Sequence, residues 1–152
     1  MSHDLVLRNA QLRTRRVCDI AMSGGRVEEI SEKISARSSK EIDAHGNLVT
    51  ETFVIAHLHL DKVMTGSLAE EAVLRQYHGS SMAGAMSALE VASKVKEHYV
   101  ESEIMDRVRK VLVEAEYQGV SHIRAFADVD TKARLTGVSA LLKMREEFKN
   151  RI

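Results

Sequence analysis

The sequence predicts an α/β protein in which a β-rich unit, residues 1–52, precedes two strand–helix units, residues 53–152. Three observations lead there. Short β-type runs dominate residues 1–50. The run FVIAHLHL at 53–60 is the most apolar short stretch and is bounded by polar residues. Beyond residue 66 apolar positions recur at helical spacing, interrupted by one further β-type run at 120–129.

In chain order, the β unit comprises DLVLRNAQLR, VCDIAMSGGRVEEIS and KEIDAHGNLVT, and Ser23-Gly24-Gly25 supplies the positive φ of a tight hairpin turn. Residues 53–60 read as a buried strand. From Ser80 to Tyr99 an Ala- and Met-rich stretch places Met82, Met86, Leu89 and Val95 on one helix face. From Ser102 to Gln118 the stripe is Ile104, Val108, Val111, Leu112 and Ala115, with Glu103–Arg107 and Asp106–Lys110 as opposite charges four apart. Gly119 stands where a helix ends in the left-handed conformation. A strand at 120–129 and a helix from about Thr131 to Lys149 follow, the latter carrying Leu135, Val138, Leu141, Leu142 and Phe148. Strand, helices, strand, helix is the signature of right-handed βα units on a parallel sheet. A closed (β/α)₈ barrel takes about 250 residues. The hundred or so that follow the β unit suffice for its first two βα units, so the expectation is an incomplete (β/α)₈ TIM barrel that cannot close.

At 152 residues and 44% apolar content the chain can bury a substantial core. Its 22 basic and 22 acidic residues cancel and aromatic residues make up 4%, which argues against a nucleic-acid partner. No run reaches the roughly 18 apolar residues of a membrane span, and MSHDLVLRNAQLRTRR lacks the apolar core of a signal peptide, so a cytoplasmic location is expected. Cys18, the single cysteine, is read as a small packed side chain in a strand.

The chemistry centres on His57 and His59. Separated by one residue in a strand, they point to the same side, about 6.5–7 Å apart along it, within reach of one metal ion. They also lie at the strand's C-terminal end, the catalytic end in barrel enzymes. Spacing alone leaves a second reading open, two histidines bonded in a core or facing solvent. The surrounding segment EIDAHGNLVTETFVIAHLHLDK, residues 41–62, closely resembles the first-strand signature of the amidohydrolase superfamily, in which IDA-x-G-x-L-V-x-P-G-F-V-x-x-H-x-H delivers two metal ligands. MSGGRVEEI looks like the family's hairpin in its small β domain. Asp61 after the pair, and GVSHIRAFADVD at 119–130, are similar to the cytosine-deaminase branch, where Gly-(Val/Ile)-x-His-(Val/Ile)-Arg precedes an aspartate. There are two departures. Glu51-Thr52 replaces Pro-Gly or Pro-Pro, and Phe126 stands where cytosine deaminases tend to have histidine.

The resemblance implies that residues 1–52 are part of a small β-sandwich domain and that His57 and His59 hold a divalent metal, iron or zinc. That ion lowers the pKa of a bound water, and the resulting hydroxide attacks a C–N bond of a cyclic amidine or amide in a cytosine-like heterocycle. Further ligands and the general acid–base group come from later strands, beyond residue 152. The chain is accordingly expected to be a truncated fragment, inactive alone. The alternative is a non-catalytic binding or assembly module built from the same half barrel. Exposed sheet edges are expected to favour association or a homo-oligomer. Asp61 either orients a ligand histidine or caps the following segment. Lys62 is read as solvated or paired with a carboxylate, His122 as structural, and Arg124 and Asp128 as a buried pair or substrate contacts. His3, His45, His78 and His98 are read as surface residues.

Overall fold

The computed structural model describes residues 2–66, 96 and 99–152. The helix expected over 80–99, and with it His78 and His98, lies outside them, apart from Lys96 and Tyr99. The chain divides into two compact units, Met1–Glu51 and Thr52–Ile152.

The first unit is a four-stranded sheet of β1 (His3–Gln11), β2 (Val17–Ser23), β3 (Arg26–Ser31) and β4 (Ser38–Asp43) in the order β3-β2-β1-β4. β1 pairs antiparallel with β2 and parallel with β4. Gly24 and Gly25, at φ +57° and +73°, form the two-residue turn between β2 and β3, where both central residues must be left-handed. A bulge in β1 changes the register between Leu7, opposite Ile20, and Ala10, opposite Cys18. Asn9 accommodates it at φ 52° and donates its N–H to Asp19 Oδ1 at 3.2 Å. The extra residue lets Val6 join Ala21 and Ile34 on one face while Ala10 joins Cys18 and Ile20 on the other. Asp19 is the polar anchor of this sheet. Its carboxylate accepts Arg8 Nη1 at 2.7 Å and Ile34 N at 3.0 Å, and Arg8 also reaches Glu41 on β4. His3, expected at the surface, is buried, with Nδ1 3.1 Å from Glu28 Oε2 and 3.3 Å from Ser23 Oγ. As the first residue of β1, hydrogen-bonded to Arg37, it is drawn into the sheet.

The second unit pairs β5 (Phe53–His59) in parallel with β6 (Val120–Phe126), and β5 runs into a short 3₁₀ turn, Leu60–Lys62. Helix α1 (Glu101–Tyr117) precedes β6 and helix α2 (Thr136–Glu147) follows it. The core is Leu60, the α1 stripe Ile104, Val108 and Leu112, and Ala140, Met144 and Phe148 from α2 and its end. Gly119, at φ +78°, closes α1 in the left-handed region. On α1, Asp106 pairs with Arg109 rather than Lys110, and Arg109 continues to Glu147 beyond the helix, on α2.

Two further expectations are corrected. α2 starts at Thr136, not Thr131. Asp130 Oδ1 accepts the N–H groups of Lys132 and Ala133, closing a separate turn, and Arg134 at φ 50° breaks the path into the helix. β5 is not a buried strand, because Phe53 and Val54 are 62% and 64% exposed. Among the described residues β5 has a strand partner on one edge only, and its cover by the core begins at Leu58 and Leu60.

Candidate functional site

A break in register decides which way β5 presents its histidines. Ile55 is opposite Ile123 and Leu58 is opposite Ala125, so β5 carries one residue more than β6 between those pairs. Paired residues share a face, and Ile123 and Leu58 both pack against the helical core. In a regular strand His57 would follow Ile55 to that side. The extra residue at Ala56–His57 reverses the alternation, leaving Leu58 and Leu60 toward the helices and His57 and His59 on the opposite face. Phe126, in register with His59, joins them there.

On that face the two imidazole centroids are 5.2 Å apart. His57 stacks on Phe126 at 4.1 Å with 22° between planes, and His59 lies tilted at 5.7 Å from the same ring. The guanidinium of Arg124 sits 5.4 Å over Phe126. His57 is exposed and His59 half-buried. The histidines and the two β6 side chains thus form one polar and aromatic surface at the C-terminal ends of two parallel strands.

Behind His59 lies a charge cluster. Asp61, in the 3₁₀ turn, is completely buried. Its Oδ2 accepts the backbone N–H of Asp128 at 3.1 Å, while Oδ1 has no hydrogen-bond partner among the described residues. Burial pushes its carboxyl above the ordinary range, an effect the Asp128 N–H offsets in part. Gly137 at the start of α2 makes room for it. A Cβ there would stand 3.1 Å from Asp61 Cβ. Asp128 Oδ2 receives Lys62 Nζ at 2.9 Å and Lys96 Nζ at 2.6 Å. Burial opposes the charge of Asp128, but these two ammonium groups outweigh it and hold the carboxyl below its usual range. Lys96 also contacts Asp130 at 3.0 Å. The N–H of Ala133, then Lys96, lowers Asp130 to about 2. Burial, reinforced by Asp61, pushes the Tyr99 phenol up to about 12, and its Oη has no hydrogen-bond partner among the described residues.

Arg124 and Asp128 do not pair with each other. Arg124 lies along the strand face over Phe126, whereas Asp128, past the end of β6, turns to Lys62 and Lys96. His122 is exposed and contacts its neighbour Ser121 Oγ at 2.9 Å. Lys96, Tyr99 and Gly137 had no place in the sequence reading of the site. Only Gly137 carried a local signal, a glycine within a run of helix formers. Two imidazoles on one face suit a borderline divalent ion. Among the described residues no group of three His, Cys, Asp or Glu side chains is gathered to hold one, so the donors present fit part of a coordination shell.

No protein-family model matches the chain. It is 36% identical over 155 aligned positions to an N-isopropylammelide isopropyl amidohydrolase of Pseudomonas sp. (strain ADP), covering 98% of this chain and 36% of that protein. It superposes on a 5-methylcytosine deaminase from Klebsiella pneumoniae with a TM-score of 0.77 and 24% identity, over 97% of this chain and 34% of the other. For the N-isopropylammelide isopropylaminohydrolase of Burkholderia multivorans the TM-score is 0.73 at 22% identity, over 99% and 36%. The chain spans about a third of the length of these relatives. With nearly its whole length matched in sequence and in fold, the chain belongs to the amidohydrolase superfamily and corresponds to the N-terminal portion of its relatives.

Proposed function

We propose that this chain supplies the opening portion of a metal-dependent hydrolase of the cytosine-deaminase type, acting on a C–N bond of a cyclic amidine or amide. The observation that carries the reading is the pair His57 and His59, turned to one face at the C-terminal ends of parallel strands. Residues 53–152 form the first two βα units of a (β/α)₈ barrel, and residues 1–52 form part of a small β-sandwich domain. His57 and His59 hold a divalent ion, iron or zinc. When bound, such an ion supplies Lewis acidity and makes water a nucleophile near neutral pH. The relatives' names, one an ammelide amidohydrolase and one a methylcytosine deaminase, support a small nitrogen heterocycle as substrate.

The chain's own residues divide the remaining work. Phe126 fixes the His57 ring by stacking. Arg124, on the same face, offers the donors of its planar guanidinium to a polar edge of the ring substrate. Asp61 and Asp128 stand behind His59. Two imidazoles alone hold an ion weakly, and the remaining ligands and the acid–base group must come from elsewhere.

Zinc titration of the chain tests the reading. Weak binding is expected, lost in both His57→Ala and His59→Ala and retained in His122→Ala. Binding that survives both of the first two substitutions would refute it. Amine release from cytosine-like rings with iron or zinc added is expected only when the missing ligands are supplied.

A further inference from the structure

Among the described residues, two carboxylate oxygens face His59 Nδ1. Asp128 Oδ1 lies 3.2 Å away and Asp61 Oδ1 3.9 Å away. The first is out of line with the ring and the second is out of hydrogen-bonding range, so among the described residues His59 Nδ1 and Asp61 Oδ1 are both buried polar atoms without a hydrogen bond. The two ammonium groups of the cluster, Lys62 and Lys96, are both drawn to the other oxygen of Asp128. They leave Oδ1 to the imidazole. A bare nitrogen lone pair facing two carboxylate oxygens is repelled, whereas an N–H there is attracted, and a small rotation of the ring turns the Asp128 contact into a hydrogen bond.

We infer that Asp128, with Asp61 behind it, is a positioning residue that fixes neutral His59 as its Nδ1–H tautomer, leaving the Nε2 lone pair free for the face shared with His57. The scaffold around the two carboxylates suits this task. Asp61 is held by the Asp128 N–H and by the close approach of Gly137, and Asp128 is held by two lysines. Neither carboxylate is free to swing. The functional weight of the inference rests on the proposed ligand role of His59, but the tautomer does not depend on any metal.

The test uses the whole chain, metal-free, labelled with ¹⁵N-histidine at about pH 8.5, where an ordinary imidazole is neutral. Ring ¹⁵N–¹H correlations read the tautomer, and His59 is assigned by its disappearance in His59→Gln. Nδ1–H is expected to dominate at His59 in the wild type. In Asp128→Ala, with the α1 and α2 amide signals unchanged, the Nδ1–H fraction should fall at least about twofold as Nε2–H appears. Dominant Nε2–H or an even mixture in the wild type would overturn the inference, and that arm needs no variant to fold. Undiminished Nδ1–H in folded Asp128→Ala would overturn the role of Asp128. Zinc added afterwards separates the two readings. Unmoved His57 and His59 signals, with Nδ1–H intact, would remove the ligand role while the tautomer stands.

Discussion

Replacing Asp19 by alanine is expected to cost the N-terminal unit about 3 kcal/mol. The carboxylate has 8% side-chain exposure and accepts Arg8 Nη1 at 2.7 Å, Ile34 N at 3.0 Å and Asn9 N at 3.2 Å. Alanine leaves the buried Ile34 N–H without that acceptor, at about 1–3 kcal/mol, while the N–H of the exposed Asn9 loses less. Breaking a buried ion pair costs about 3–5 kcal/mol in total, and Arg8 recovers part of that because Glu41 still holds it. Asp19→Asn keeps one acceptor oxygen and should lose about half as much. The assay is urea unfolding, or hydrogen exchange at the β1 and β2 amides, at pH 7 and at successively lower pH. Burial opposes the charge on Asp19, but the Ile34 N–H, Arg8 and the Asn9 N–H outweigh it and lower its pKa in the folded state. A group with a depressed folded pKa stabilises fully above its unfolded value, about 3.9 for aspartate, and that contribution disappears as pH falls through the folded value. The gap between wild type and Asp19→Asn should therefore be constant from about pH 7 to 5 and shrink below about 4. A gap that stays constant or widens into acid, or an Asp19→Ala loss under about 0.5 kcal/mol, would refute the reasoning.

Gly137→Ala reverses the usual sign of a helix glycine replacement. The gain of about 1 kcal/mol expected in a helix is outweighed by about 1–3 kcal/mol of overpacking against the buried Asp61, whose Cβ would stand 3.1 Å from the new methyl, so thermal unfolding should show net destabilisation, and a raised Tm would sink the claim. Deleting Ala56 removes the surplus residue of β5 between the Ile55 and Leu58 pairs and makes the ladder regular from Val54 onward. Ring-to-ring nuclear Overhauser contacts between His57 and Phe126 should persist in that variant, and their disappearance would contradict the bulge assignment.

What could be read from sequence was what local chemistry decides. Gly24-Gly25 and Gly119 mark backbone that must turn left-handed, and the stripe Ile104, Val108, Leu112 marks the buried side of α1 to within a residue of its ends. The common side of His57 and His59 follows from their spacing. Other features depend on encounters between distant segments. Asp130 gathers the N–H groups of Lys132 and Ala133 into a turn that helical periodicity does not reveal. Asp128 meets Lys62 and Lys96 rather than Arg124, four residues away, because β6 ends before it. The apolar run at 53–60 implied burial, yet burial also requires layers on both sides of a strand, a property of the assembly rather than of the run. Nothing in Ala56-His57 announces a bulge.

That bulge separates β5 into two segments with independent phase. Upstream, the strand takes its alternation from Ile55 against Ile123, and downstream from Leu58 against Ala125. The direction of the histidines is thus referenced to the helical core through Leu58 and Leu60, not to the chain arriving from the N-terminal side. Slippage or a length change before Ala56 can be absorbed at the irregular step without rotating the imidazoles, so the approach to the strand is free to vary while the face that bears the histidines stays put.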